Sequence, residues 1–82
     1  AAMSKEEAAE MYATEIRPAV SAVMGVIGQD ATREFLEKLG YTHVKHIPAE
    51  RYADFMAKCR ELGGDAVDTM IGVERTKRER AV

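Results

Sequence analysis

The stretch LGYTHVKHIPAERYADFMAKCREL, residues 39–62, carries most of the information about the fold. Gly40 suits the left-handed conformation in which many helices end. Pro48 suits the first turn of a helix, where its missing N–H is not needed. Val44 and Ile47 lie between Gly40 and Pro48 and are three residues apart, a spacing that favours one tight turn packed on a core. The stretch therefore predicts a helix end, a turn over residues 41–47 and the start of a second helix.

This second helix, predicted over residues 48–62, is amphipathic. Its apolar positions share one helical face: Tyr52, Phe55, Met56, Cys59 and Leu62. The opposite face is charged, and its members are Glu50, Arg51, Asp54, Lys58 and Glu61. Asp54 and Lys58 are four residues apart, a spacing that favours an ion pair. Gly63 and Gly64 are predicted to end the helix.

The N-terminal part predicts a long helix that contains a proline. Ser4 to Glu7 form a capping box, in which the Ser4 hydroxyl accepts from the Glu7 N–H and the Glu7 carboxylate reaches back. Apolar residues then recur at helical spacing: Ala8, Tyr12, Ile16, Val20, Val23 and Ile27, with Met11, Ala19 and Met24 beside them. Pro18 predicts either a kinked helix over residues 5–27 or two helices that meet near Arg17. Gly28 is predicted to end this region.

Two further helices complete the predicted set. Asp30 is predicted to cap a helix that ends at Gly40 and carries Phe35, Leu36 and Leu39 on one face. A last short helix is predicted to start at Asp65 and to contain Val67, Met70 and Ile71. The chain after Gly72 is predicted to be either a solvated extension of that helix or a frayed end. Together these elements predict an all-α single domain, an orthogonally packed bundle of three to five helices over residues 1–72, followed by a basic tail over residues 73–82.

Length and charge limit the classes of function. The 82 residues leave room for one domain with one core, and no apolar stretch is long enough to span a bilayer. The net charge is −2, whereas the last ten residues carry four basic and two acidic groups. A mildly acidic body is a poor electrostatic footprint for duplex DNA. The single Cys59 excludes an internal disulfide and suits a reducing cytoplasm.

The first residues leave two interpretations open. Ala1 and Ala2 precede Met3-Ser4-Lys5, so they are either a remnant ahead of a natural start or part of an Ala-rich linker at which a domain was cut from a larger protein. No secretory signal peptide is visible, because the N-terminus is acidic and lacks a basic region followed by an apolar one.

The chemical motifs do not predict an enzyme. His43, His46 and Cys59 lack the fourth ligand and the second close pair that a zinc site usually has. Cys59 occupies a core position, where a thiol is normally a small hydrophobe. The glycines at 25 and 28 lack the Lys and Ser or Thr of a phosphate-binding loop. A DNA-reading helix-turn-helix is disfavoured because the turn is long and the second helix has no excess of basic groups. We therefore predict no catalytic residue, no metal and no cofactor.

Two surfaces are candidates for binding. The cations of the tail, Arg75, Lys77, Arg78 and Arg80, are candidates for weak, salt-sensitive nucleic-acid contact, although no aromatic residue lies among them to stack on bases. The alternative is a solubilising terminus. The first helix has apolar residues over a wide arc, and methionine-rich surfaces are adaptable. This helix is therefore a candidate for pairing with a second copy or with a partner helix.

The segment FLEKLGYTHVKHIPAERYADFMAKCREL, residues 35–62, resembles a small helical module at the C-termini of phage proteins. It is similar to the C-terminal domains of phage single-strand annealing recombinases of the RecT and Red-beta kind, and to phage antirepressor C-terminal regions. The matching positions are Phe35, Leu36, Gly40, Val44, Ile47, Pro48, Tyr52 and Leu62. The likeness covers about a third of the chain. The net acidic body departs from what capture of an acidic tail would need.

The resemblance implies a function through partner proteins. Such domains are thought to bind the acidic tail of the host single-strand DNA-binding protein and a partner exonuclease. Carried over to this chain, it makes Lys45, Arg51 and Lys58 candidates for binding a partner. We therefore expect a non-enzymatic protein–protein interaction module that acts with recombination or replication partners. The alternatives are a small stand-alone phage protein that inhibits a host protein, and a nucleic-acid-binding accessory protein that uses the tail.

Overall fold

The computed structural model describes residues 4–80, and these residues form four α-helices. Helix α1 spans residues 5–27, α2 Gln29–Lys38, α3 Tyr52–Gly63 and α4 Asp65–Arg80. Two 3₁₀ turns, Val44–His46 and Ala49–Arg51, lie between α2 and α3. Within residues 4–80 there is no strand, so the all-α class and the predicted number of helices are confirmed. Met3, the natural start in one of the two interpretations, and residues 81–82 at the end of the tail lie outside the described residues.

Helix α1 passes through Pro18 without a break. Its middle, Tyr12–Ile16, is a π-helical segment, and the Arg17 N–H donates to the Tyr12 carbonyl. A proline ring clashes with the carbonyl four residues before it, and a widened π turn at that place gives the ring room. Arg17 itself is helical, with φ −61° and ψ −47°. Of the two predicted alternatives, the single helix over residues 5–27 is the one observed, and its distortion is the π segment.

The N-terminus of α1 is capped by the Ser4 hydroxyl, as predicted. The Glu7 N–H donates to the Ser4 hydroxyl at 3.1 Å. The Glu7 carboxylate also reaches back, but it accepts a hydrogen bond from the Ser4 hydroxyl at 3.2 Å. Glu6 and Glu7 lie in the first turn, where carboxylates interact favourably with the helix dipole.

The junction between α1 and α2 is tighter than predicted. Gly28 ends α1 with φ +91° and is at the same time the N-terminal cap of α2. Its carbonyl accepts both the N–H and the hydroxyl of Thr32, at 3.1 and 2.7 Å. Asp30 lies inside the first turn and makes no capping bond, so the prediction of an Asp30 cap is wrong. One glycine leaves no room between the helices for a separate capping residue.

The C-terminus of α2 is the predicted glycine end. Gly40 has φ +92°, and its N–H donates to the Glu37 carbonyl at 2.9 Å. The Tyr41 N–H donates to the Leu36 carbonyl at 3.0 Å. These two bonds are the Schellman arrangement, which satisfies carbonyls that the end of a helix leaves without partners.

The core forms around α1, which contacts each of the other three helices and packs most extensively on α4 and α3. The largest fully buried side chains are Ile16, Val23, Val67 and Cys59. The Phe35 and Phe55 rings stack with their centroids 5.6 Å apart. The tight turn lies on this core as predicted, because Ile47 is buried and Val44 packs beside it. Most of the wide apolar arc of α1 is therefore covered by the other helices, and Met24 is the member that stays exposed.

The end of α3 differs from the prediction in one position. The sequence pattern places Leu62 on the core face, but Leu62 is 37% exposed, and Gly63 is buried in its place. A Cβ added at Gly63 would lie 2.8 Å from Val67 Cγ2 and 3.4 Å from Val23 Cγ2. The backbone of α3 thus lies directly against α4 and α1 at this point.

Helix α4 is longer than the predicted short helix. It starts at Asp65 as expected but continues through Gly72 to Arg80. Glu74 and Arg78, four residues apart, form an ion pair at 3.2 Å, and Lys77, Arg78 and Arg80 lie in the last turn. Both features favour helix near a C-terminus. Of the two alternatives for the tail, residues 73–80 form the solvated helical extension.

Candidate functional site

A depression with a volume of about 580 Å³ lies along α3. Its apolar lining comes from α3 and from the segment that joins α2 to it: Leu39, Tyr41, Ile47, Phe55 and Ala57. Its charged lining comes from one side of the α3 region: Arg51, Asp54, Lys58 and Glu61. We call this depression the α3 groove. An apolar floor with a charged rim is the general composition of a protein-binding surface.

The charges of the α3 groove alternate in sign along the chain. Their spacing of three, four and three residues keeps Arg51, Asp54, Lys58 and Glu61 on one helical side. The ion pairs in the described part of the chain join Arg60 to Asp68 and Arg78 to Glu74. The predicted Asp54–Lys58 pair is therefore not formed. All four groups are exposed and available to a partner.

The structure brings together two of the three residues predicted to bind a partner. Arg51 and Lys58 line the α3 groove, whereas Lys45 does not. Lys45 lines a separate depression of about 360 Å³ between the 41–47 turn and α1. The Lys45 N–H donates to His43 Nδ1 at 3.1 Å, which fixes the turn there. Lys45 therefore belongs to a different face from Arg51 and Lys58.

The cations predicted for nucleic-acid contact are distributed over more than one surface. Arg75 and Arg78 line a depression of about 500 Å³ together with Glu7, Glu10 and Glu15 of α1. Nearby carboxylates weaken the attraction of these two cations for phosphates. Lys77 and Arg78 line another depression of about 270 Å³ that also contains Arg17. Arg80, in the last turn of α4, is exposed.

Arg17 is a candidate binding residue that the sequence does not single out. The sequence marks it only as the place where Pro18 disturbs the helix, yet it lines both the depression beside Lys45 and the one beside Lys77. A signal was present: Arg17, Ser21 and Met24 follow helical spacing, and all three are exposed. They form an exposed stripe on the middle of α1, where residues 11–16, 18–20 and 22–23 are buried or half-buried.

Cys59 is a core thiol. It is fully buried, and burial raises its pKa to about 12, with Arg60 acting weakly in the opposite direction. Because the thiolate is the reactive form, a neutral buried thiol is a poor nucleophile. The His43 and His46 rings are 6.1 Å apart in an edge-to-face arrangement. Within residues 4–80, no group of three or more His, Cys, Asp or Glu side chains is arranged to hold a metal ion.

We expect the buried thiol to make stability depend on pH. The unfolded thiol ionises near its ordinary pKa of 9.0, whereas the folded thiol stays protonated up to about 12. The unfolded state therefore loses protons first, and the free energy of unfolding falls as the pH rises above 9.0. From pH 8 to pH 10 the wild-type protein should lose about 1 kcal/mol more than the Cys59→Ala variant.

Urea denaturation of both proteins at the two pH values measures this difference. Burial also raises the pKa of Tyr52. Its effect on the free energy of unfolding is the same in both proteins, so it cancels in the difference between them. Equal losses in wild type and Cys59→Ala would contradict the assignment of Cys59 to the core.

Comparison with known proteins found no matching family model, no similar curated protein and no similar solved structure. The resemblance to annealing-recombinase modules thus stays a prediction from the sequence pattern. Among the helices of the described residues, none combines the length and apolar character needed to cross a bilayer.

Proposed function

We propose that this protein is a non-enzymatic interaction module of the cytoplasm, which binds a segment of a partner protein in the α3 groove. The observation that carries the proposal is the composition of the groove. Leu39 and Tyr41 form a half-buried apolar floor, and Ala57 leaves an opening at the edge. A partner side chain placed there gains apolar burial, while a charged rim provides orientation.

The rim charges define the chemistry of the proposed partner. Arg51 and Lys58 favour acidic groups, but Asp54 and Glu61 lie between and beside them. A uniformly acidic segment would meet two like charges in the same groove, which disfavours it. A segment that alternates acidic and basic residues around an apolar stripe is complementary to all four. A short amphipathic helix has this pattern.

The proposed pathway rests on the resemblance of residues 35–62 to the phage recombinase modules. It makes proteins of recombination and replication the first partners to test, namely a single-strand DNA-binding protein and an exonuclease. The α3 groove supports a binding role for Arg51 and Lys58 in such a contact because both are exposed and neither is in an ion pair.

A groove-filling variant tests the proposal. Ala57→Trp should block the groove, because a large ring replaces the methyl group at its edge. Ala53→Trp is the matched control, since Ala53 is exposed on the same helix but does not line the groove. We expect Ala57→Trp to weaken capture of the partner at least tenfold, about 1.4 kcal/mol, and Ala53→Trp to leave it unchanged.

The measurement is affinity purification from a lysate of the native host at low and moderate salt, with partners quantified by mass spectrometry. One stoichiometric protein that survives moderate salt and is lost only with Ala57→Trp supports the module. Recovery of nucleic acid alone, or the same yield with both variants, would reject the α3 groove as the binding surface.

A further inference from the structure

A second surface lies on the exposed stripe of α1. The depression beside the 41–47 turn and the depression beside α4 both contain Arg17 and Ser21, so they lie on either side of one ridge. The first adds Lys45, and the second adds Lys77 and Arg78. We call this area the Arg17 surface and define it by Arg17, Lys45, Lys77 and Arg78, with the apolar side chains between them. It shares no lining residue with the α3 groove.

The Arg17 surface is strongly basic on a protein of net charge −2. It contains four cations, and the one carboxylate in the lining of its two depressions belongs to Glu74. Glu74 is paired with Arg78 at 3.2 Å, so it offsets a cation of the surface itself. The other three cations have no ion-pair partner in the described part of the chain. A patch of one sign attracts ligands of the opposite sign and accelerates their association.

Exposed apolar side chains lie among these cations. Met70 is 37% exposed and Val73 is 44% exposed, and both line the depression next to Arg17. Met24, which is 40% exposed, follows Arg17 and Ser21 on the same stripe of α1. These three are among the five large hydrophobic side chains that the structure exposes most. Apolar side chains surrounded by polar groups mark interaction sites.

The surroundings of the Arg17 surface favour a short ligand over a long polyanion. Arg78 also borders the depression that contains Glu7, Glu10 and Glu15. A nucleic-acid strand that continued past Arg78 would meet these carboxylates. A short segment confined to the ridge avoids this repulsion.

We infer that the Arg17 surface binds a short acidic protein segment that carries apolar side chains. Its carboxylates contact Arg17, Lys45 and Lys77, and its apolar side chains enter the two depressions beside Val44 and Met70. This inference goes beyond the proposed function, because it assigns a second binding site to the protein. The Arg17 surface is basic, whereas the α3 groove has equal numbers of positive and negative charges, so the two sites would bind different ligands.

The test uses the purified full chain and a fluorescently labelled synthetic peptide of glutamates and leucines. We expect saturable binding by fluorescence anisotropy that weakens as salt is raised, and loss of binding when the glutamates are replaced with glutamine. Arg17→Glu should weaken binding on the order of tenfold or more. Arg33→Glu makes the same charge change on an exposed part of α2 outside every depression described above, and should have little effect.

A second pair of variants guards against a folding defect at Arg17, which lies next to the π segment. Lys45→Glu and Lys77→Glu change exposed residues on two other elements, and each should weaken binding of the peptide as Arg17→Glu does. Equal effects of Arg17→Glu and Arg33→Glu, or no binding by the wild-type protein at low salt, would overturn the inference. So would tighter binding of a single-stranded oligothymidylate with the same dependence on Arg17. Each of these failures leaves the Ala57 and Ala53 comparison unaffected.

Discussion

Replacing Gly63 with alanine is expected to lower the free energy of unfolding by roughly 1–3 kcal/mol, although alanine is the better helix former. The added Cβ would lie 2.8 Å from Val67 Cγ2, closer than non-bonded carbon atoms approach. Val67 is fully buried and β-branched, so its methyl group has no free rotamer to take. The new contact therefore forces α3 and α4 apart where both meet α1.

Gly72→Ala is the matched control within the same fold. Gly72 lies inside α4, and a Cβ there would have no neighbour within 4 Å. Alanine at this position should raise the free energy of unfolding by about 0.5–1 kcal/mol through helix propensity. Urea denaturation followed by circular dichroism gives both values. A stabilising Gly63→Ala, or the same sign at both sites, would contradict the close packing at Gly63.

Phe55→Ala is expected to have the largest effect of a single core substitution, a loss of about 3–5 kcal/mol. Phe55 is 3% exposed and stacks on Phe35, so removing its ring leaves a cavity between α2 and α3. This is a large part of the stability of a domain of this size. The variant should unfold at a much lower urea concentration or fail to fold.

Leu62→Ala is the control for Phe55→Ala. The sequence pattern assigns both residues to the core face of one helix, but Leu62 is 37% exposed. Its removal should cost less than about 1 kcal/mol. Similar losses for the two variants would mean that Leu62 is buried as the pattern predicts and that the end of α3 is different from the one described.

Features set by short-range geometry were predictable from the sequence. Gly28 and Gly40 were identified as helix ends because a positive φ is favourable for glycine and unfavourable for other residues. Ser4 was identified as a cap because its hydroxyl can reach an N–H three residues ahead. Each of these needs only a few neighbouring residues, so the local sequence contains the information.

Features set by packing between helices were not predictable. Exposure of Leu62 and burial of Gly63 depend on where α4 and α1 meet α3, and no local pattern gives that register. The cap of α2 was not predicted because Gly28 both ends α1 and caps α2. Recognising this double role requires knowledge of the angle between the two helices. The length of α4 was underestimated because Gly72 interrupts the apolar pattern but not the helix.

The candidate binding residues also divide into those that local sequence groups correctly and those that only the fold brings together. Arg51 and Lys58 share the α3 groove because they are seven residues apart, about two helical turns. The resemblance to the recombinase modules groups Lys45 with them, but Lys45 lines the depression between the 41–47 turn and α1. The Arg17 surface joins residues from α1, the turn and α4. It could be found only after the chain was folded.

A photo-crosslinking amino acid placed at position 57, with position 53 as the control, would show directly whether a partner occupies the α3 groove. Irradiation in the native host captures whatever lies within contact distance of each side chain. We expect one protein adduct from position 57 and none from position 53, because Ala57 lines the α3 groove and Ala53 does not. Equal adducts from both positions, or no adduct from position 57 while the partner is still co-purified, would contradict binding in the groove.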